Sequence, residues 1–274
     1  MRKLFFVPLL LIAVAAMAQS TPPQTNKSLG ASINAGENAK KARAVLDAMI
    51  EKLGGQAYLN VKDITQEGRT YAYYQGQPSS LGTLYWRFYK FPDKERVEYT
   101  KARDVVFIIN GDEGYEITYK GTAAEDADIL KENLRRREHS LETVLRIWLS
   151  DPNTALFYDG PAVAEQKPCD SVTLMNAKND SVTIYVDTHT RLPVKKTFEW
   201  RDPSDKLKNE EGEVYDNFRV IDGIQTATTL LRTKNGEISN QRFLTNVQYN
   251  AGLADSLFDA KVTYDPNKKL PPVK

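Results

Sequence analysis

KENLRRREHSLETVLRIWL, residues 131–149, is a long run of helical periodicity inside a chain that otherwise alternates and turns. Leu134, Leu141, Leu145 and Trp148 share one face at helical spacing, with Leu130 above them and Val144 alongside. Arg135, Arg136 and Glu142 fall mostly elsewhere and read as the solvated side. Such a segment could clamp nucleic acid, lie on a membrane, plug a core or cover a cavity. What flanks it decides between these.

Strand signals lie on both sides. Upstream, residues 61–74, 81–91, 96–100, 105–110 and 115–120 are rich in β-branched and aromatic residues between Gly, Pro or Asp turns, and NGDEG (110–114) is a hairpin turn. Downstream come PCDSVTLM (168–175), KNDSVTIYVD (178–187), RLPVKKTFEW (191–200), EEGEVYDNFRV (210–220), IQTATTLLRT (224–233) and SNQRFLTNVQY (239–249). These are ten or eleven strands, roughly, with short joints, the pattern of one meandering antiparallel sheet. A sheet that wide twists and curls. Leu84, Trp86 and Phe88, then Val182, Ile184 and Val186, then Phe243, Thr245, Val247 and Tyr249 alternate along their strands. One face is therefore apolar and needs a cover. Two helices are available for it. The first begins near Glu37, carries Ala42, Val45, Leu46, Met49, Ile50 and Leu53 on one face, and stops at Gly54-Gly55. The second is the opening segment, which reads as a cover on the concave face. The expected fold class is mainly β (α+β): a curved antiparallel sheet covered by two α-helices.

The N-terminus MRKLFFVPLLLIAVAAMAQS joins a short basic region to an apolar run and a small-x-small site at Ala16-Met17-Ala18, the pattern of a signal peptide over residues 1–18. The apolar run is shorter than the roughly 20 residues that span a bilayer. Residues 19–36 are Pro-, Ser-, Asn- and Gly-rich and read as a disordered lead, residues 37–265 as one domain, and 266–274 as a flexible tail. Removing Arg2 and Lys3 from the 37 basic residues leaves 35 against 36 acidic ones, a balance that argues against a nucleic-acid partner. The expected setting is outside the cytoplasm, as a monomer.

Catalytic and metal sites are not expected. His139 and His189, the two histidines, have no partners at metal-ligand spacing and read as solvent-exposed. Cys169, the single cysteine, reads as a small buried filler. NGDEG lacks the alternating acids of a calcium loop, and EDADIL (125–130) reads as the acidic start of a helix. No Ser stands in a nucleophile-elbow context, so the chain is expected to be no enzyme and to need no cofactor.

Four stretches carry a family resemblance: the helix end KLGGQAYLNVKDITQEGR (52–69), LGTLYWRFYKFPDKERVEY (81–99), SVTIYVDTHTRLPVKKTFEW (181–200) and TNVQYNAGLADSLFDAK (245–261). Together they resemble the outer-membrane lipoprotein carrier family, the LolA/LolB-like lipoprotein-sorting proteins of the Gram-negative periplasm. The resemblance implies that the curved sheet forms an incomplete β-barrel, a half-barrel closed by helices, holding lipoprotein acyl chains or other lipids in an apolar cavity, with transfer partners at the inner and outer membranes. Candidate cavity residues are then Leu84, Trp86, Phe88, Val182, Ile184, Leu134, Leu141, Leu145 and Trp148. The family's lid-latching basic residue precedes a Pro turn, which implies Lys90, with Arg87 as the alternative. The rival expectation is an envelope-associated interaction or sensor module whose sheet is filled by its own side chains.

Overall fold

The computed structural model describes residues 36–266 apart from 80 and 203, so the expected signal peptide, nearly all of the lead and most of the tail lie outside the described residues. Helix α1 (Glu37–Leu53) has the expected apolar stripe, and Gly54, at φ 133°, ends it. A short turn of helix, α2 (Gln56–Leu59), leads into the sheet. The strands before the helical segment are β1 (Asp63–Tyr74), β2 (Gln77–Pro78), β3 (Thr83–Lys90), β4 (Lys94–Tyr99), β5 (Val105–Asn110), β6 (Glu113–Thr118) and β7 (Gly121–Ala124). Those after it are β8 (Ala155–Ala164), β9 (Lys167–Met175), β10 (Ser181–Asp187), β11 (Pro193–Arg201), β12 (Lys208–Ile221), β13 (Ile224–Lys234) and β14 (Glu237–Tyr249).

These form one curved antiparallel sheet of 14 strands in the order β7-β6-β5-β4-β3-β1-β14-β13-β12-β11-β10-β9-β8, with β2 paired to β1. The chain starts in the middle of the sheet, meanders to one edge, crosses to the opposite edge, and meanders back to pair β14 with β1. The sheet stays open as an incomplete barrel. The strands beyond the expected number are β2, β7 and β8. Strand β8 contains Gly160 and Pro161 beside a bulge, composition that reads as loop but is tolerated on an edge. Both edges are covered. Asn38 of α1 exchanges two 2.8 Å hydrogen bonds with the Tyr158 backbone of β8. On β7, Thr263 N donates to Thr122 O at 2.8 Å. Such covers block edge-to-edge association.

The crossing from β7 to β8 is the opening stretch of the sequence analysis. It is not one helix. Helix α3 (Ala127–Glu138) starts on an Asp126 cap, and α4 (Leu141–Arg146) restarts on Ser140, whose Oγ accepts from Thr143 N at 3.1 Å. A 3₁₀ turn over Trp148–Ser150 follows. Because the two edges lie on opposite sides of the concave face, this connection has to run over that face.

The main core lies between α1, α4 and the concave side of β8–β12. Leu46, Met49, Val144, Leu145, Trp148, Val172, Leu174, Val182, Ile184 and Phe198 are packed together there. The convex side has its own cluster, in which Phe88, Val106 and Ile108 are covered by Phe258 of the C-terminal segment.

Candidate functional site: a charged cavity beneath the crossing helix

Beyond the packed core, the concave face and α3 enclose a cavity of about 500 Å³. Side chains alternate along a strand, so cross-strand register fixes which residues reach it. Tyr85, Arg87 and Tyr89 of β3 point inward beside Glu95, Val97 and Tyr99 of β4. From the other half come Lys196 and Phe198 of β11, Glu211, Glu213 and Tyr215 of β12, Leu230 and Arg232 of β13, and Arg242 of β14. The wall is therefore mixed: aromatic and aliphatic side chains carry a lattice of charges.

The ion pairs are specific. Arg87 Nε donates to Glu95 and Arg87 Nη1 to Gln66 Oε1 at 3.3 Å. Burial would push the Arg87 guanidinium down, but Glu95 beside it holds it above its ordinary value. Glu213 gathers three cations: Arg242 Nη2 at 2.8 Å, and Lys196 Nζ and Arg232 Nη2 each at 3.9 Å. The Tyr215 hydroxyl donates to the same carboxylate at 3.0 Å. Burial pushes the Glu213 carboxyl up, yet Lys196, Arg242 and Arg232 hold it at about 2. Burial, reinforced by Arg242, brings Arg232 down to about 10. At the α3 end, desolvation pushes Glu125 up to about 7, against a hydrogen bond donated by Asn133.

Helix α3 buries none of its residues and is held by polar contacts. Arg136 Nε donates to Glu211 Oε2 at 2.7 Å, while Arg137 Nη1 donates to Gly111 O at 2.6 Å and Asp93 O at 3.1 Å. Arg135 stacks its guanidinium over the Trp200 ring, 4.0 Å from the centroid. The arginines expected on the solvated side thus bind the helix to the sheet. Ile129, Asn133, Arg136 and Arg137 are its inward stripe. The expected stripe ran from Leu134 to Leu141 as though the helix were continuous. The break at Ser140 resets the phase, so that stripe holds only from Leu141 onward.

The candidate residues divide three ways. Val182, Ile184, Leu141, Leu145 and Trp148 come together, but in the packed core rather than in open space. Leu134 is half-buried on α3. Leu84, Trp86 and Phe88 alternate with the inward Tyr85, Arg87 and Tyr89 and so lie on the opposite face. There Arg103 covers Trp86 and Phe88. This corrects their placement: large apolar side chains were read as concave, and the tyrosines and the arginine between them hold that face. Phe243 is also outward, packed edge-on against Tyr71. Of the two latch candidates, Arg87 lines the cavity, whereas Lys90 donates to Leu253 O and pairs with Asp255, each at 2.8 Å, tying down the C-terminal segment.

His139 is buried and not exposed as expected. It stacks on Phe198 with centroids 4.4 Å apart, donates from Nδ1 to Arg135 O, and has its pKa lowered by desolvation. His189 is exposed and Cys169 buried, as read from sequence. Among the described residues no group of three or more His, Cys, Asp or Glu could hold a metal ion, and no helix is long and apolar enough to cross a membrane. Sequence reasoning missed the cation cluster. Its signal was a charge at the parity of the core residues: Lys196 before Phe198, Glu213 before Tyr215, Arg232 after Leu230.

This architecture is found in solved structures. A DUF1329 family protein from Desulfovibrio piger aligns over 80% of this chain and 97% of its own at a TM-score of 0.54 and 15% identity. A domain from Vibrio parahaemolyticus described as an outer membrane lipoprotein-sorting protein aligns over 80% and 97% at 0.50 and 11%. The fold is LolA-like. A LolA superfamily protein from Nitrosomonas europaea also aligns, over the same shares, at 0.48 and 14%. Neither a protein-family model nor a curated protein matches the sequence. In this chain the half-barrel is the sheet, α3 lies over its concave face, and the space between them is the candidate site.

Proposed function

We propose that the protein is an exported, non-catalytic carrier that shelters a lipid or lipoprotein acyl group between the half-barrel and α3. The observation that supports it is a cover without a buried residue, held over a cavity by arginines. Such a lid can lift without exposing an apolar face to water, because its contacts exchange for hydration. The mixed wall also moderates affinity. Burying an acyl chain of about 16 carbons at about 0.8 kcal/mol per methylene gives roughly nanomolar binding, which slows release. A wall that keeps charges within reach gains less. Arg87, facing the cavity, is the better placed of the two basic residues to respond to lid position. Loading and unloading then occur at membrane partners in the periplasm.

A second function is favoured by one observation. Most of the apolar concave surface beneath α1 and α4 is filled by the chain's own side chains, as in an envelope interaction or sensor module. Native mass spectrometry of the exported protein, followed by lipid extraction, separates the two. A carrier arrives with a bound amphiphile or takes one up from added fatty acid. A chain that remains bare under both conditions is the interaction module.

A further inference from the structure

The charges on the cavity wall are unevenly paired. Arg87 has Glu95, and Arg136 has Glu211. Among the described residues, Lys196, Arg232 and Arg242 share one ion-pair partner, Glu213, two of them at 3.9 Å. Lys196 is 4% exposed, so water does little to neutralise the excess. The Tyr85 hydroxyl, buried on the same wall within the field of Arg242, has no hydrogen-bond partner among the described residues. Facing them from α4 is Glu142, which lines the cavity with no ion pair of its own among the described residues. Its field nevertheless reaches Arg87 and Lys196.

Resting on the carrier function, we infer that the cavity contains an acceptor site for one anionic group, a phosphate or carboxylate, framed by Lys196, Arg232 and Arg242 with the Tyr85 hydroxyl. Guanidinium groups present forked N–H donors that match the oxygens of either anion, and charge-assisted bonds of this kind are the strong ones. Tyr89, Tyr99 and Phe107 on the neighbouring strands supply the apolar wall for an attached chain. Glu142 is the internal competitor: beside Glu213, its carboxylate is a second negative charge on this wall whose field reaches Lys196, and an arriving anion competes with it. The anion can be the headgroup of an amphiphile or free phosphate.

Calorimetric titration with decyl phosphate, decanol and inorganic phosphate tests the site in the parent, Arg242→Gln and Glu142→Gln. Decyl phosphate should bind at least about tenfold tighter than decanol, Arg242→Gln should lose most of that margin, and Glu142→Gln should widen it. If Arg242→Gln does not fold, Glu142→Gln decides, because it breaks no ion pair: a gain for decyl phosphate without one for decanol sustains the site, and no gain removes it. Inorganic phosphate binding as tightly as decyl phosphate keeps the anion site and removes the amphiphile carrier. Equal binding of decanol and decyl phosphate, indifferent to both substitutions, removes the anion site and leaves the carrier. No binding of any probe overturns both.

Discussion

Arg136 on α3 and Glu211 on β12 are joined across the cavity by a 2.7 Å charge-assisted hydrogen bond, and Glu211 is 2% exposed. Arg136→Met strands that carboxylate. It should cost roughly 2–4 kcal/mol, less than a fully orphaned ion because Arg135 stands 4.0 Å from the other oxygen. The double substitution Arg136→Met with Glu211→Leu should recover most of the loss. Denaturant unfolding of the two variants checks this, and a double variant no more stable than the single one would refute it.

Leu141 and Trp148 behave differently from the α3 residues because they belong to the packed core. Leu141→Ala or Trp148→Ala should each lower stability by about 2–5 kcal/mol, through the cavity left behind. Urea midpoints unchanged from the parent would show that α4 is as loosely held as α3.

Glu125 gives the protein a pH dependence of unusual sign. Its folded pKa, about 7, lies above the ordinary value of 4.5, so the folded state holds the proton more tightly than the unfolded one. Its contribution is complete below about pH 4.5 and is lost as pH rises through about 7. Buried His139, with a lowered pKa, works in the opposite direction as pH falls below 6.5. The measured quantity is therefore the difference between parent and Glu125→Gln. The variant should gain on the parent between pH 5 and 8, as read from melting temperatures; parallel profiles would show that Glu125 titrates normally.

Gly68 sits at the bulge where β1 meets β14, and a Cβ there would come within 2.2 Å of the Phe243 carbonyl oxygen. The obstacle is backbone, which cannot rotate aside. Gly68→Ala should cost about 1–3 kcal/mol and loosen the central strand pair. Hydrogen exchange along residues 241–247 is the appropriate readout: protection equal to the parent's would mean that the bulge absorbs the methyl group.

The sheet, its curvature and the first helix were legible because alternation, helical spacing and turn residues are local signals, while the open half-barrel form came with the family resemblance. Strand β8 was hidden by Gly160 and Pro161, tolerable only because that strand became an edge, which is a tertiary fact. The helix break was written as Ser140 with Thr143 three residues on, but the leucines on either side were spaced as though it were absent. For the site, parity failed on β3. Trp86 and Phe88 are the larger apolar groups, and only the position of the C-terminal segment, with Phe258 seated over Phe88, reveals that they face away from the cavity. Lys196 and Arg232 drew no reading of their own, since a sequence does not show which charges will meet Glu213.

The pairing of β1 with β14 also governs the order of assembly. Ile64 lies opposite Tyr249 and Thr70 opposite Arg242, so the first strand made borders the last. On a chain emerging N-terminus first, β1 can zip to β3 at once, but its other side stays an unpaired ladder until nearly every residue is out. An exposed strand edge waiting for a distant partner is slow to close and prone to recruit a neighbouring chain. The seam between the first strand and the last is therefore the place where mispairing threatens a nascent chain longest.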